Sequence, residues 1–239
     1  MGIKKNIRSI LNFFHLDFTK NLSYDRMTKT VMKKVIRPTS NCIDVGCHEG
    51  EMLKFMLELA PSGTHFAFEP LPEYAKALQI TFEKVNVIFS ALADKNGKTS
   101  FKFVKNAPAY SGIKERKYKV EKPDIIDIEV EVRRLDDVLP PDYQVDFIKI
   151  DVEGGEFDVL RGAIQTLKKY KPTVVFESGL GASEYYGTIP EELFEFFNNL
   201  DYKLYTLGDF VDEKHNLSLE DFTHVYLTNK EYYFVAQPK

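Results

Sequence analysis

The chain is poor in cysteine: 239 residues carry two, Cys42 and Cys47. Their spacing matches neither a CxxC metal site nor a CxxC redox motif, so they read as two reduced thiols, in keeping with a cytoplasmic location. An excess of one charge is also lacking. The net charge is -4 with 28% charged residues, which argues against nucleic acid, because phosphate-backbone binding rests on a surplus of Lys and Arg. No run approaches the roughly 20 apolar residues of a membrane span, and no internal repeat, low-complexity tract or inter-domain linker is visible. What is present is an ordinary composition, 44% hydrophobic, long enough to bury a substantial core. One domain over 1–239 is the economical expectation.

The N-terminus, "MGIKKNIRSILNFFHLDF", is basic and places Ile3, Ile7, Ile10, Leu11 and Phe14 at helical spacing. Arg8 and Asn12 interrupt its apolar core, and no small-residue cleavage site follows, unlike a secretory signal. The expectation is an N-terminal helical extension over 1–37 packed on the domain, with peripheral contact of that helix with a membrane surface as the alternative.

Further on, short β-branched or aromatic runs alternate with longer helical patterns, which predicts an α/β fold with a mainly parallel sheet. The strand candidates are "NCIDV" (41–45), "THFAFE" (64–69), "NVIFSA" (86–91), "VDFIKID" (145–151) and "TVVFES" (173–178). "KTSFKFVK" (98–105) and "IDIEVEV" (126–132) alternate polar and apolar, as antiparallel edge strands with one face in solvent would. The stretch 106–124 between them has no clean period and reads as a long loop. "PEELFEFFNNL" predicts a helix, with its proline in the first turn, and "EYYFVAQ" a last strand.

The turn "CIDVGCHEG" (42–50) follows the first strand and brings Asp44, Gly46 and Gly50 to its carboxyl end, where open α/β sheets bind ligands; Glu69 ends the next strand. A dinucleotide loop would carry G-x-G-x-x-G, but His48 stands where the middle glycine belongs, and Asp44 would repel a pyrophosphate. A ligand with an ammonium and a sulfonium reverses that judgement. S-adenosylmethionine is one: Asp44 would face its positive end and Glu69 its ribose hydroxyls. Asp44 as a helix cap, and Glu69 and His48 as turn residues, are the structural alternatives.

In "FIKIDVEGGEFDVLRGA" (147–163), Asp151 and Glu153 end a buried-looking strand. Were such a ligand to pass its methyl to an alcohol, a proton acceptor would be needed, and Asp151 is the leading candidate for that base or for orienting the substrate, with Glu153 the second; the alternative is that they brace the glycine turn. "FESGLGASEYYG" adds Glu177, Tyr185 and Tyr186 as substrate candidates, the tyrosines offering flat faces to a polar ring such as a sugar. In the 106–124 loop, Tyr110, Ser111 and Gly112 are best placed to reach the site as part of a lid. Asp151 with Glu177 suggests Mg2+ as a secondary reading, but two carboxylates do not establish a metal and none is assigned.

Together with "FAFEP", "NVIFSALAD" and "RRLDDVL", this motif makes residues 40–178 resemble the FkbM family of S-adenosylmethionine-dependent methyltransferases. The resemblance implies a Rossmann-like class I fold with a seven-strand type sheet flanked by helices. It implies that Asp44 and Gly46 hold the methionine end of the cofactor, that Glu69 beside Pro70 holds the ribose, and that Ser90, Ala91 and Leu92 border the adenine. It also implies transfer to oxygen, with a sugar hydroxyl or other small polar metabolite, free or displayed on a glycan or lipid carrier, as acceptor. The sequence departs from the family at Cys47 and His48, where Ala-Asn is frequent. A small-RNA methyltransferase and a non-catalytic cofactor-binding module stay open as alternatives, and the oligomeric state is not readable.

Overall fold

The computed structural model describes residues 20–118 and 120–239; the helix expected over residues 3–14 lies outside them. The first element is helix α1 (Lys20–Val35), which buries Leu22, Tyr24, Thr28, Val31 and Met32 on one side. After it, strands β1 (Cys42–Val45), β2 (His65–Phe68) and β3 (Val85–Ile88) alternate with helices α2 (Glu51–Leu59) and α3 (Pro72–Thr81). Strands β7 (Phe147–Ile150), β8 (Thr173–Glu177), β9 (Tyr202–Thr206) and β10 (Tyr233–Pro238) complete a seven-stranded sheet, in the order β3-β2-β1-β7-β8-β10-β9.

Pairing is parallel from β3 across to β8, while β10 runs antiparallel to both of its neighbours. β1, β2 and β7 are buried along their whole length, which is why they read as unbroken apolar runs rather than alternating ones. After β1 the chain builds outward to β3, then returns to lay β7 on the other side of β1. That reversal opens a crevice at the carboxyl ends of β1 and β7.

Successive strand residues face opposite sides. Ile43, Val45, Ile148, Ile150, Val174, Phe176 and Phe234 join one core layer with α5 (Glu156–Arg161), α6 (Ile164–Tyr170), α7 (Pro190–Asn199) and α9 (Leu219–Leu227). Cys42, Phe147, Val175 and Val235 face the other way, against α1, α2 and α8 (Leu207–Val211). Asp44, Lys149, Asp151, Glu177 and Tyr233 share the parity of this second set. The α1 side of the sheet therefore carries the polar groups at its upper end.

The alternating segments form β5 (Gly97–Val104) and β6 (Ile125–Arg133), joined before the short helix α4 (Leu135–Val138), but not as an edge of the main sheet. They make a separate three-stranded sheet with β4 (Ala91–Leu92), because their one apolar face, with Phe101, Val130 and Val132, packs on Leu71, Ala91 and Ala93. The intervening loop is tied back at Gly112, which exchanges backbone hydrogen bonds with Lys102 at 2.8 and 3.3 Å. Between residues 200 and 230, β9, α8 and α9 were not expected from the sequence. Among the described residues no helix is long and apolar enough to cross a membrane.

Candidate active site

The turn after β1 is forced by its glycine. Gly46 has φ +78, and a Cβ there would lie 1.9 Å from the carbonyl oxygen of Asp151, so no side chain fits between the ends of β1 and β7. His48 also takes a positive φ of 48. Its N–H donates to Glu69 Oε2 at 2.9 Å, and its ring stacks on Tyr74 with centroids 4.6 Å apart. Glu69 accepts a second backbone bond, from Leu71 N–H at 2.9 Å. Burial pushes its carboxyl up while these two donors oppose the shift.

A cavity of about 360 Å3 opens here, lined among others by Gly46, His48, Glu69, Pro70, Ser90, Ala91 and Leu92. Ser90 Oγ is buried and has no hydrogen-bond partner among the described residues. A carboxylate offers about four acceptor sites and Glu69 uses two on backbone. Both groups stand in one cavity, where Glu69 was expected to hold the ribose of S-adenosylmethionine and Ser90 to border its adenine.

Asp44 and Gly50 do not line this cavity. Gly50, at φ 78, starts α2. Asp44 is fully buried, and the place beside it that was expected for the ligand's ammonium is taken by Lys149, whose Nζ lies 3.5 Å from Asp44 Oδ1. The strand register explains this, since Asp44 and Lys149 are paired residues of β1 and β7 and face the same side. Lys149 Nζ also donates to Gly46 O at 3.2 Å and lies 3.5 Å from Asp151 Oδ2. Although burial works against its charge, Asp151 and Asp44 hold it ionised.

At the ends of β7 and β8, the carboxylates of Asp151, Glu153 and Glu177 fall within 4.8 Å of one another. Tyr233, from β10, donates its hydroxyl to Asp151 Oδ2 at 2.7 Å. Burial pushes Asp151 up, yet Lys149 and Tyr233 outweigh it and leave the group below the ordinary carboxylate range. Glu153, at φ 62, meets the Arg116 guanidinium; burial and Asp151 push its carboxyl up to about 8 against that cation. Glu177 is driven well above the usual range by burial, then by Asp151 and Glu153. The brace of the glycine turn is a residue the sequence had left unassigned: Glu156 accepts Val152 N–H and Gly154 N–H at 3.0 Å each.

A second cavity, of about 920 Å3, lies on the α1 side, with Tyr110, Tyr118, Tyr232, Tyr233 and Leu180 around Asp151, Glu153, Glu177 and Arg116. The two cavities share Asp25, Ala109, Asp151 and Glu153. Of the expected substrate residues, Tyr110 and Glu177 line the second cavity, whereas Ser111 lines the first and uses its Oγ to accept Val104 N–H at 3.0 Å. Gly112 and Tyr185 line neither, and Tyr186 lines the first. The two tyrosines latch loops together through their hydroxyls: Tyr186 Oη accepts Lys114 N–H at 3.0 Å and Tyr185 Oη accepts Lys117 N–H at 3.4 Å. Arg116 completes the latch through Gly181 O at 3.2 Å and sits over the rings of Tyr110 and Tyr118.

Against known families, the model described as the methyltransferase FkbM domain matches residues 44–204. The chain belongs to this family. It is an S-adenosylmethionine-dependent methyltransferase with the class I fold. This FkbM methyltransferase is 26% identical over 183 residues to the 2-O-methyltransferase NoeI of Sinorhizobium fredii, covering 70% of this chain and 75% of the relative. The crystal structure of methyltransferase FkbM from Methylobacillus flagellatus shares the fold, with a TM-score of 0.51 at 15% identity over 84% of this chain. The match spans 44% of that structure's own length.

Proposed function

We propose that this FkbM methyltransferase methylates a hydroxyl oxygen of a sugar or a similar small polar acceptor, with Asp151 as the base. The observation that carries this reading is that Asp151 and Glu153 stand in the walls of both cavities, where a cofactor on one side would meet an acceptor on the other. S-adenosylmethionine, when bound, supplies a methyl on an electron-poor sulfur. Tyrosine rings around the second cavity suit the faces of a sugar ring. The relative's name, a 2-O-methyltransferase, supports oxygen as the nucleophile.

Asp151 would be fixed through Oδ2 by Tyr233 and Lys149. Held below the usual carboxylate range, it is ionised at neutral pH and would take the proton that the acceptor's hydroxyl gives up on methylation. Methyl-labelled S-adenosylmethionine offered with panels of sugars, glycosides and small hydroxylated metabolites tests this. The expected product is an O-methyl ether, and Asp151→Asn should depress kcat by roughly 100-fold or more while shifting KM for the cofactor less. Label carried on nitrogen, or full turnover by Asp151→Asn, would refute the proposal.

A further inference from the structure

The base does not stand alone. β7 and β8 are parallel with Ile150 opposite Phe176, so the next residues, Asp151 and Glu177, leave the sheet side by side. β10 runs antiparallel with Tyr233 opposite Glu177, and this register delivers the Tyr233 hydroxyl to Asp151. Three strand ends thus converge on one pair of carboxyl groups.

The charges around the pair are unequal. Lys149 on β7 faces Asp151, and Arg116 from the loop after β5 faces Glu153. Glu156 at the start of α5 is occupied with backbone N–H groups, and from β10 the neighbour is the uncharged hydroxyl of Tyr233. Among the described residues, Glu177 is the member of the three-carboxylate cluster with no cation against it. Two carboxylates with oxygens within 4.8 Å oppose each other's ionisation. A tyrosine hydroxyl given to Asp151 marks Asp151 as the acceptor, which a carboxylate is and a protonated acid is less.

We propose that Asp151 and Glu177 form a carboxyl pair sharing one proton, with Glu177 the protonated member whose O–H holds Asp151 in place. This rests on the reading of Asp151 as base, and it makes Glu177 a positioning residue. Burial and the surrounding negative charge favour that protonated form. When the acceptor's hydroxyl proton reaches Asp151, the pair carries two protons, and one must leave to solvent before the next turnover. No oxidant, reductant or further reactant is consumed.

The test compares Glu177→Gln, which keeps a neutral hydrogen-bond donor, with Glu177→Leu, which does not. In the full-length protein at neutral pH, the infrared difference spectrum of wild type minus Glu177→Gln should show one carboxylic-acid C=O band. Glu177→Gln should retain roughly tenfold or more of the kcat of Glu177→Leu, the scale of one hydrogen bond to a charged group. A carboxylate band in that difference, or equal damage in both variants, would overturn the proposal. So would activity abolished by EDTA and restored by Mg2+, because a cation would then bridge the carboxylates in place of the proton. If Asp151→Asn turns over normally while the acid band is present, the assignment of the base is at fault and the shared proton stands. If Asp151→Asn is impaired and the band is absent, only the shared proton is lost.

Discussion

Lys149 meets Asp44 across the β1–β7 register, Nζ to Oδ1 at 3.5 Å, with the lysine side chain 8% and the aspartate side chain 1% exposed. Lys149→Met would leave Asp44 and Asp151 buried without their shared cation. Breaking a buried pair by removing one partner costs about 3–5 kcal/mol, and urea unfolding should register a loss of that order. Adding Asp44→Asn to Lys149→Met should recover part of it, a coupling that a double-mutant cycle measures.

Tyr233→Phe removes the hydroxyl that donates to Asp151 Oδ2. Because that donor helps to hold the aspartate below its ordinary range, its loss raises the pKa of the base. Activity is lost as pH falls through that pKa, so the acid limb of the kcat profile should move to higher pH in the variant. An unmoved limb would show that Asp151 is not the group titrating there.

Gly46→Ala tests the turn. Its Cβ would collide with the Asp151 carbonyl at 1.9 Å, and φ +78 is strained for any L side chain. The backbone strain alone costs about 1–2 kcal/mol, and the collision displaces the strand end that carries the base. Calorimetric titration with S-adenosylmethionine should show at least roughly tenfold weaker binding, the equivalent of ~1.4 kcal/mol.

Glu156 sets a stability profile of its own. Burial lifts its carboxyl from 4.5 to about 7, against the backbone donors it braces. The folded state therefore keeps a proton that the unfolded chain releases, and stability falls as pH rises from about 4.5 to about 7, by up to roughly 3 kcal/mol. Glu156→Gln should flatten that part of the fall, read from urea midpoints at the two ends of the window.

Arg116→Ala unfastens the loop from Glu153 and Gly181. Residues 106–118 should become open to limited proteolysis, and kcat/KM for the acceptor should drop by roughly tenfold, the scale of a lost hydrogen bond to a charged group, with a smaller change in cofactor affinity.

The contrast between Gly46 and Lys149 shows what the sequence could disclose. A glycine after an apolar run announces a turn by itself, and the runs at 42–45 and 147–150 announce strands because both of their faces are covered. Lys149 sits inside one of those runs, but its partner is a matter of register, and register between distant strands is written in no local pattern. Tyr233 was hidden in the same way, because its role depends on β10 inserting between β8 and β9. Arg116 carries no local signal of its role, since what it reaches lies on two other loops. One missed element did carry a local signal: α9 opens with a capping box, Ser218 and Asp221, legible as "SLED". That the hydroxyls of Tyr185 and Tyr186 accept backbone N–H groups of the loop at 114 and 117 was equally hidden, because those neighbours are supplied only by folding.

The shared wall of the two cavities bears on the order of events. On the proposed function, cofactor and acceptor occupy separate chambers that touch at Asp25, Ala109, Asp151 and Glu153, and spent cofactor would then be exchanged while the acceptor stays bound. An acceptor with several hydroxyls could then be modified more than once in a single visit, its residence time rather than its rebinding setting how many methyl groups it carries away.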